Sequence, residues 1–268
     1  MSEKLIYGHP TSLYEKPTKY CAGCGHGIIH RLVADVIDEM GMRDKTVITH
    51  PVGCSIWADL HFNFDSVQPP HGRTPAAATG VKRVLPDHLV VCYQGDGDLA
   101  AIGTAEAIHA ANRGEKFTTI FVNNAIYGMT GGQMAPTTLV GQKAATSPRG
   151  RDPDIAGMGY PIRVCELLAV LEGTAYIARG TVHSAANVRK TRAYIKKAFE
   201  YQTKGIGFTL VEILSPCPTG WGVETTDSLS WLEKKMIPIF PLGEIKTPSS
   251  QAIPIAAELE ENVKKGAA

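Results

Sequence analysis

Asp96 and Asn124 are hard oxygen donors set among turn residues, in Gly95-Asp96-Gly97 and Asn123-Asn124. A carboxylate, an amide oxygen and a nearby loop carbonyl suit Mg2+, which keeps waters and phosphate oxygens in the rest of its shell. The glycines let the backbone approach a phosphate with no Cβ in the way. Either dipeptide alone would be an ordinary turn. Their separation, one helix plus one strand, is what points to a magnesium–diphosphate site.

Six cysteines form the second set. Cys21 and Cys24 make a CxxC ahead of a predicted helix, Cys54 stands in VGCS and Cys217 in SPCP. Four thiolates suit zinc or an iron–sulfur cluster. Structural zinc more often uses paired CxxC knuckles at short spacing, whereas Cys54 and Cys217 are distant singletons. On these residues alone both metals stay open. A thioredoxin-like motif needs a strand before its CxxC, and none precedes Tyr20. Gly25, not a histidine, follows Cys24, which excludes covalent haem. Cys92 and Cys165 sit in apolar runs and read as buried small hydrophobes.

An alternating chain must position these groups. Apolar runs predict strands at 46–52, 88–94, 118–123, 175–180 and 208–214. Helical periodicity predicts helices at 27–40, 74–84, 100–112, 161–171 and 185–201. Such alternation gives an α/β fold with a doubly wound, mostly parallel sheet. Parallel strands end on one edge, so Asp96, Asn124, Cys54 and Cys217 are expected at the same carboxyl edge, where open sheets bind ligands. Residues 135–153 read as a long loop. The chain is expected to be a single domain, 1–268, irregular from about 215 apart from a short helix near 256–265.

Length and charge bound the function. A chain of 268 residues can bury a substantial core. Net charge is +1 with no long like-charge block, so neither nucleic acid nor an anionic membrane is an expected partner. The start, MSEKLIYGHP, has no apolar run and no stretch reaches membrane-spanning length, so a cytoplasmic, reducing compartment is expected. His26, His50 and His61 lie near the cysteine segments and read as packed, hydrogen-bonded side chains. The basic stretch at 189–197 reads as a solvated helix face.

The segment from Gly95-Asp96-Gly97 to Asn123-Asn124 resembles the diphosphate-binding motif of thiamine diphosphate (ThDP) enzymes. That resemblance implies Mg2+ held by Asp96, Asn124 and the carbonyl of Ile126, with Gly95, Gly97 and Asp98 against the phosphates. Thr130 and Ser55 would add hydroxyls, and His71 would act from HGR ahead of a helix whose terminal amides favour anions. CAGCGHG, HPVGCSIW, PHGRTPAAATGVKR, GDGDLAAIG and NNAIYGMTGGQMAPTT, in that order, together resemble the β subunit of 2-oxoacid:ferredoxin oxidoreductases. The similarity runs from about residue 19 to about 221. It implies a [4Fe–4S] cluster on Cys21, Cys24, Cys54 and Cys217, and CoA-dependent oxidative decarboxylation of a 2-oxoacid to acyl-CoA, CO2 and reduced ferredoxin.

YGMTGGQ and HGR look most like the branched-chain (2-oxoisovalerate) type. 2-Oxoglutarate enzymes often carry a lysine at Gly131 or Gly132, and 2-oxoglutarate or pyruvate types are the alternatives. The resemblance also implies an α subunit whose pyrimidine-binding domain supplies the activating glutamate, together with γ and ferredoxin-like δ subunits or their fusions. No C-x2-C-x2-C-x3-C-P run is present to carry electrons onward. The rivals from other classes are a zinc-stabilised scaffold and a thiol–disulfide module on Cys21 and Cys24.

Overall fold

The computed structural model describes residues 8–155 and 157–248. The expected helix near 256–265 lies outside them. Seven strands form one sheet: β1 Thr46–Thr49, β2 Asp65–Val67, β3 Leu89–Gly95, β4 Thr118–Asn123, β5 Thr174–Thr181, β6 Phe208–Leu214 and β7 Gly243–Lys246. Their order is β2-β1-β3-β4-β6-β5-β7. All neighbours are parallel except β7, which runs antiparallel to β5.

Both faces of the central strands are covered, which is why they read as continuous apolar runs. Val91 and Tyr93 of β3 point to the side of helices α1 (His26–Glu39) and α6 (Ala185–Thr203), where Ile29, Val33, Ile195 and Phe199 meet them. The alternate residues Val90 and Cys92 point the other way. There they meet α3 (Thr74–Val84), α4 (Thr104–Asn112) and α5 (Val164–Ala169) through Ala78, Ala107, Ala110, Cys165 and Leu168. Cys92 and Cys165 are both fully buried there, as their apolar contexts predict.

The doubly wound sheet is as expected, with several shorter elements than predicted. β1 stops at Thr49 because His50 leads into Pro51, which has no ladder donor. Cys54 therefore does not close the strand; it opens a tight 3-10 turn, Cys54–Trp57, followed by the short α2, Ala58–His61. The helix at 161–171 shortens to α5.

The predicted helix 100–112 is split. A wide π turn, Asp98–Ile102, precedes α4, with Gly103 between them. The Gly103 N–H donates to the Asp98 carbonyl at 2.7 Å. A Cβ at Gly103 would lie 2.6 Å from the carbonyl oxygens of both Asp98 and Gly72. Gly103→Ala should therefore lower folding stability by about 1–3 kcal/mol through overpacking, read as a shifted urea midpoint at constant slope.

The stretch after residue 215 is more regular than its sequence suggests. It contains α7 (Pro218–Trp221), α8 (Thr225–Trp231), a further wide turn at Leu232–Met236, and β7. Leu232, Met236 and Phe240 pack with Ala125, Leu139 and Leu214. That cluster pins the segment after β4 to the end of β6.

The connections direct attention to one place. From β1 the chain goes outward to edge strand β2, whereas from β3 it goes the opposite way to β4. The carboxyl ends of β1 and β3 thus flank a switch point, where open α/β sheets leave a ligand crevice.

Candidate active site at the β1–β3 switch point

A cleft with about 640 Å³ of empty volume occupies that crevice. Its walls are residues 52–55, 95–98 and 126–130, with His26, His71, Ile102, Val122 and Asn124. Ten of the thirteen expected site residues line it, and Cys217 stands against its Gly128 wall.

Asp96 follows β3 and is 5 % exposed. Its Oδ1 accepts the Gly97 N–H at 2.8 Å. Its Oδ2 accepts the Ile126 N–H at 3.1 Å and the Thr137 hydroxyl at 3.0 Å. Burial pushes the carboxyl up from 3.8 to about 7, with these donors pulling it back.

Asn124 follows β4. Its Oδ1 accepts the same Ile126 N–H, at 3.2 Å, and its carbonyl accepts the Trp221 indole N–H at 2.7 Å. One amide proton is thus shared by Asp96 and Asn124, which draws two hard oxygens to one point. The turn that achieves this is unusual. Ala125 has φ 58°, a left-handed conformation in a non-glycine residue. That costs about 1–2 kcal/mol. Asn123 Oδ1 accepts the Ala125 N–H at 3.0 Å, and Thr138 and Gln142 donate to its carbonyl at 2.7 and 3.0 Å. Three such bonds, at about 1 kcal/mol each, offset the strain.

Thr137 and Trp221 were not singled out from sequence. Both come from segments that carry no periodic signal, and only the fold returns them to the Asp96–Asn124 corner.

The cysteines gather on the neighbouring wall. A Cβ at Gly128 would stand 3.1 Å from Cys217 Sγ, 3.9 Å from Cys54 Sγ and 3.8 Å from Asn124 Nδ2. This glycine therefore separates two thiols from the Asp96–Asn124 corner by little more than its own backbone. The CxxC loop docks onto the end of β6, where the Gly25 N–H donates to the Pro216 carbonyl at 3.3 Å. Burial pushes Cys24 and Cys217 up to about 12 and Cys54 up to about 11, and neighbouring cysteines add to each shift. Backbone groups of His26, Met129 and Gly220 act in the opposite sense on Cys24, Cys54 and Cys217. Among the described residues, no three or more His, Cys, Asp or Glu side chains close around a single-ion position.

The remaining expected contacts behave differently. Ser55 is buried beside Gly95, its Oγ 3.9 Å from where a Gly95 Cβ would be. Gly97 is approached by the Tyr127 ring, 2.8 Å from its would-be Cβ. Asp98 lines the cleft, yet its carboxylate is committed elsewhere. It accepts from the Gly72 N–H at 2.5 Å, Thr74 at 3.3 Å and Gln94 at 2.6 Å, and it pairs with His71 Nδ1 at 2.5 Å. His71 and Asp98 thus lock the 71–74 turn to the strand end. The Thr130 hydroxyl donates to Gln133 Oε1. His26, set aside in the sequence reading, lines the cleft and holds the Tyr93 hydroxyl through Nδ1 at 2.7 Å.

Comparison with known proteins agrees with this geometry. The family described as thiamine pyrophosphate enzyme, C-terminal TPP binding domain, matches residues 52–213. Ketoisovalerate oxidoreductase subunit VorA of Methanothermobacter thermautotrophicus is 47 % identical over 238 residues, covering 89 % of this chain and 50 % of that protein. The chain thus spans about half the length of that relative. 2-Oxoglutarate synthase subunit KorB of Archaeoglobus fulgidus is 37 % identical, covering 81 % of this chain and 76 % of that one. Among solved structures, 2-oxoglutarate:ferredoxin oxidoreductase from Magnetococcus marinus, with 2-oxoglutarate, coenzyme A and succinyl-CoA bound, superposes with a TM-score of 0.73. It is 26 % identical, and the match covers 97 % of this chain and 92 % of that one. Among the described residues no helix is long and apolar enough to cross a membrane. With its switch-point cleft and its thiamine pyrophosphate domain, the chain belongs to the 2-oxoacid:ferredoxin oxidoreductase family, as a subunit of the β type.

Proposed function

We propose that this chain binds Mg2+–ThDP and a [4Fe–4S] cluster for the CoA-dependent oxidative decarboxylation of a branched-chain 2-oxoacid. The observation that carries this reading is the Ile126 N–H shared by Asp96 and Asn124. It marks a buried carboxylate and an amide oxygen converging beside a backbone turn. Such a donor set fits Mg2+ with diphosphate. Asp96, Asn124 and the Ile126 carbonyl would hold the ion, with Gly95, Gly97 and Ser55 beside the phosphates. His71 and Asp98 would keep the 71–74 turn in place rather than bind directly, and Thr130 would reach the cofactor by exchanging its bond to Gln133.

When bound, ThDP supplies a carbon nucleophile and an electron sink for decarboxylation, and the cluster supplies one-electron transfer. Cys21, Cys24, Cys54 and Cys217 would ligate the cluster. The wide sequence separation of Cys54 and Cys217, and their approach to Gly128 beside Asn124, support the cluster reading. Binding must displace the thiol protons, so uptake releases protons.

The cleft itself suggests the substrate class. Val52, Ile102 and Met129 give its rim an apolar character, and neither lysine nor arginine lines it. A second carboxylate, as in 2-oxoglutarate, would find no lysine or arginine among the described residues that line the cleft. No glutamate lines the cleft either. The group that activates the aminopyrimidine would then come from an α subunit, with γ and δ chains or their fusions completing electron transfer to ferredoxin.

The test is ferredoxin reduction by the complex purified with its partner subunits, using CoA and a panel of 2-oxoacids. 2-Oxoisovalerate should exceed 2-oxoglutarate in kcat/KM by roughly tenfold or more. A preference for 2-oxoglutarate or pyruvate would remove the substrate assignment. No reduction with any acid, in a complex that retains ThDP, would remove the activity.

A further inference from the structure

Behind the metal corner lies a buried ion pair with no role in the site as described so far. Arg179 on β5 and Glu212 on β6 are register partners, and both are fully buried. Arg179 Nε donates to Glu212 Oε2 at 2.6 Å, and its terminal nitrogens donate to the carboxylate of Glu166 at 3.0 and 2.6 Å. Glu212 Oε1 accepts from Asn123 Nδ2 at 2.7 Å. Asn123 Oδ1 in turn accepts the N–H of Ala125 at 3.0 Å. A continuous set of polar contacts therefore runs from Glu166 on α5 through Arg179, Glu212 and Asn123 to the left-handed residue between Asn124 and Ile126.

Stability alone does not account for this arrangement. Replacing a buried ion pair by well-packed apolar residues is often neutral or favourable, so such a pair is weak support for a stabilising role. What it does control is the orientation of one amide. With the Asn123 NH2 held by the Glu212 carboxylate, Oδ1 is left to cap the Ala125 N–H. The flipped amide would set oxygen against carboxylate and NH2 against N–H, losing both bonds. Glu212, itself fixed by Arg179, thus selects the rotamer that supports the φ 58° turn.

We infer that Glu212 is a positioning residue for the cofactor-metal corner, acting through Asn123. This inference rests on the Mg2+–ThDP reading of Asp96 and Asn124. Partners beyond the direct ligands typically change metal affinity by about 10–100-fold when lost.

A charge swap tests it, in the assembled complex stripped of cofactor and titrated with Mg2+–ThDP by equilibrium dialysis. Asn123→Asp alone faces one carboxylate with another and should weaken binding by about 10–100-fold. Adding Glu212→Gln reverses donor and acceptor at unchanged net charge, and should bring affinity back to within roughly threefold of wild type. Asn123→Ala removes the link without adding charge and serves if Asn123→Asp does not fold. It should weaken binding at least about tenfold, and Glu212→Gln should then add nothing further. A merely structural pair would lower the melting temperature and leave the dissociation constant of the folded complex unchanged, and that result overturns the inference. So would a double swap no tighter than Asn123→Asp alone. Wild-type complex that binds no Mg2+–ThDP would instead bring down the functional reading and this inference with it.

Discussion

Asp96→Asn should weaken Mg2+–ThDP binding by on the order of 100-fold or more, beyond the usual loss for a residue that only supports a ligand. It should also flatten the pH dependence of the cofactor-free chain's stability. Both effects come from one buried carboxylate. The folded chain holds the Asp96 proton up to about pH 7, against an ordinary carboxyl value of 3.8. Between those values the folded state binds more protons than the unfolded state, so the stability of the cofactor-free protein falls as pH rises through this window. Above about 7 the cost of the desolvated charge is fully present. Asparagine has no such charge, so urea midpoints of the variant should lose that slope. It also leaves one of the donors Gly97, Ile126 or Thr137 facing an NH2 group, which offsets part of the stability gained.

In the wild type the proton competes with the ion. Apparent Mg2+–ThDP affinity should therefore weaken by roughly tenfold per pH unit below about 7 and level off above it. Binding by Asp96→Asn within roughly threefold of wild type would take this residue out of the metal site.

Much of this corner was legible in the sequence, for reasons specific to its parts. β4 and β6 lie where the apolar runs place them, at Thr118–Asn123 and Phe208–Leu214, because each is buried on both faces. Asp96 and Asn124 then follow β3 and β4 directly, so locating the strands also located these two oxygen donors. Cys54 was harder. It leaves β1 by a turn that Pro51 imposes, and only that excursion carries it over the crevice.

The edge strands escaped detection on physical grounds. All three residues of β2, Asp65, Ser66 and Val67, are exposed, so no apolar run marks them. β7 pairs with β5 through half-exposed and exposed residues, and its register is irregular. The same holds for the long loop. Thr137 belongs to a polar, small-residue stretch with no period, yet it is fully buried and donates to Asp96. Arg151, also buried, holds this loop by donating to the carbonyls of Pro136, Thr138, Met158 and Tyr160. The sequence does carry one signal of the buried pair: a lone arginine in TAYIARGT and a lone glutamate in FTLVEIL are charged residues inside apolar runs. Buried charges are paired, so two such strands announce a contact.

Cys54→Ala and Cys92→Ala form a controlled comparison for the iron–sulfur assignment. Both thiols are raised by burial, to about 11 and about 12, so both are neutral in the metal-free chain. Their surroundings differ. Cys54 lines the cleft beside Cys217 and Gly128, whereas Cys92 packs among Val90, Ala78 and Phe121, with Thr49 donating to it at 3.3 Å. In anaerobically prepared complex, Cys54→Ala should lower iron and acid-labile sulfide from roughly four per chain to less than about one. Cys92→Ala should keep its iron and lose only about 1 kcal/mol of stability, as expected for a small core truncation. Because a neutral thiol stabilises the metal-free fold only through packing, loss of iron in Cys54→Ala with little change in metal-free melting separates ligation from folding. The Asp96–Asn124 corner does not depend on that sulfur, so Mg2+–ThDP affinity should stay within roughly tenfold of wild type. Colourless wild-type protein holding one zinc per chain would replace the cluster by a structural ion. Equal iron in both variants would remove Cys54 from the ligand set and, with it, the reason to place an electron acceptor beside the cofactor.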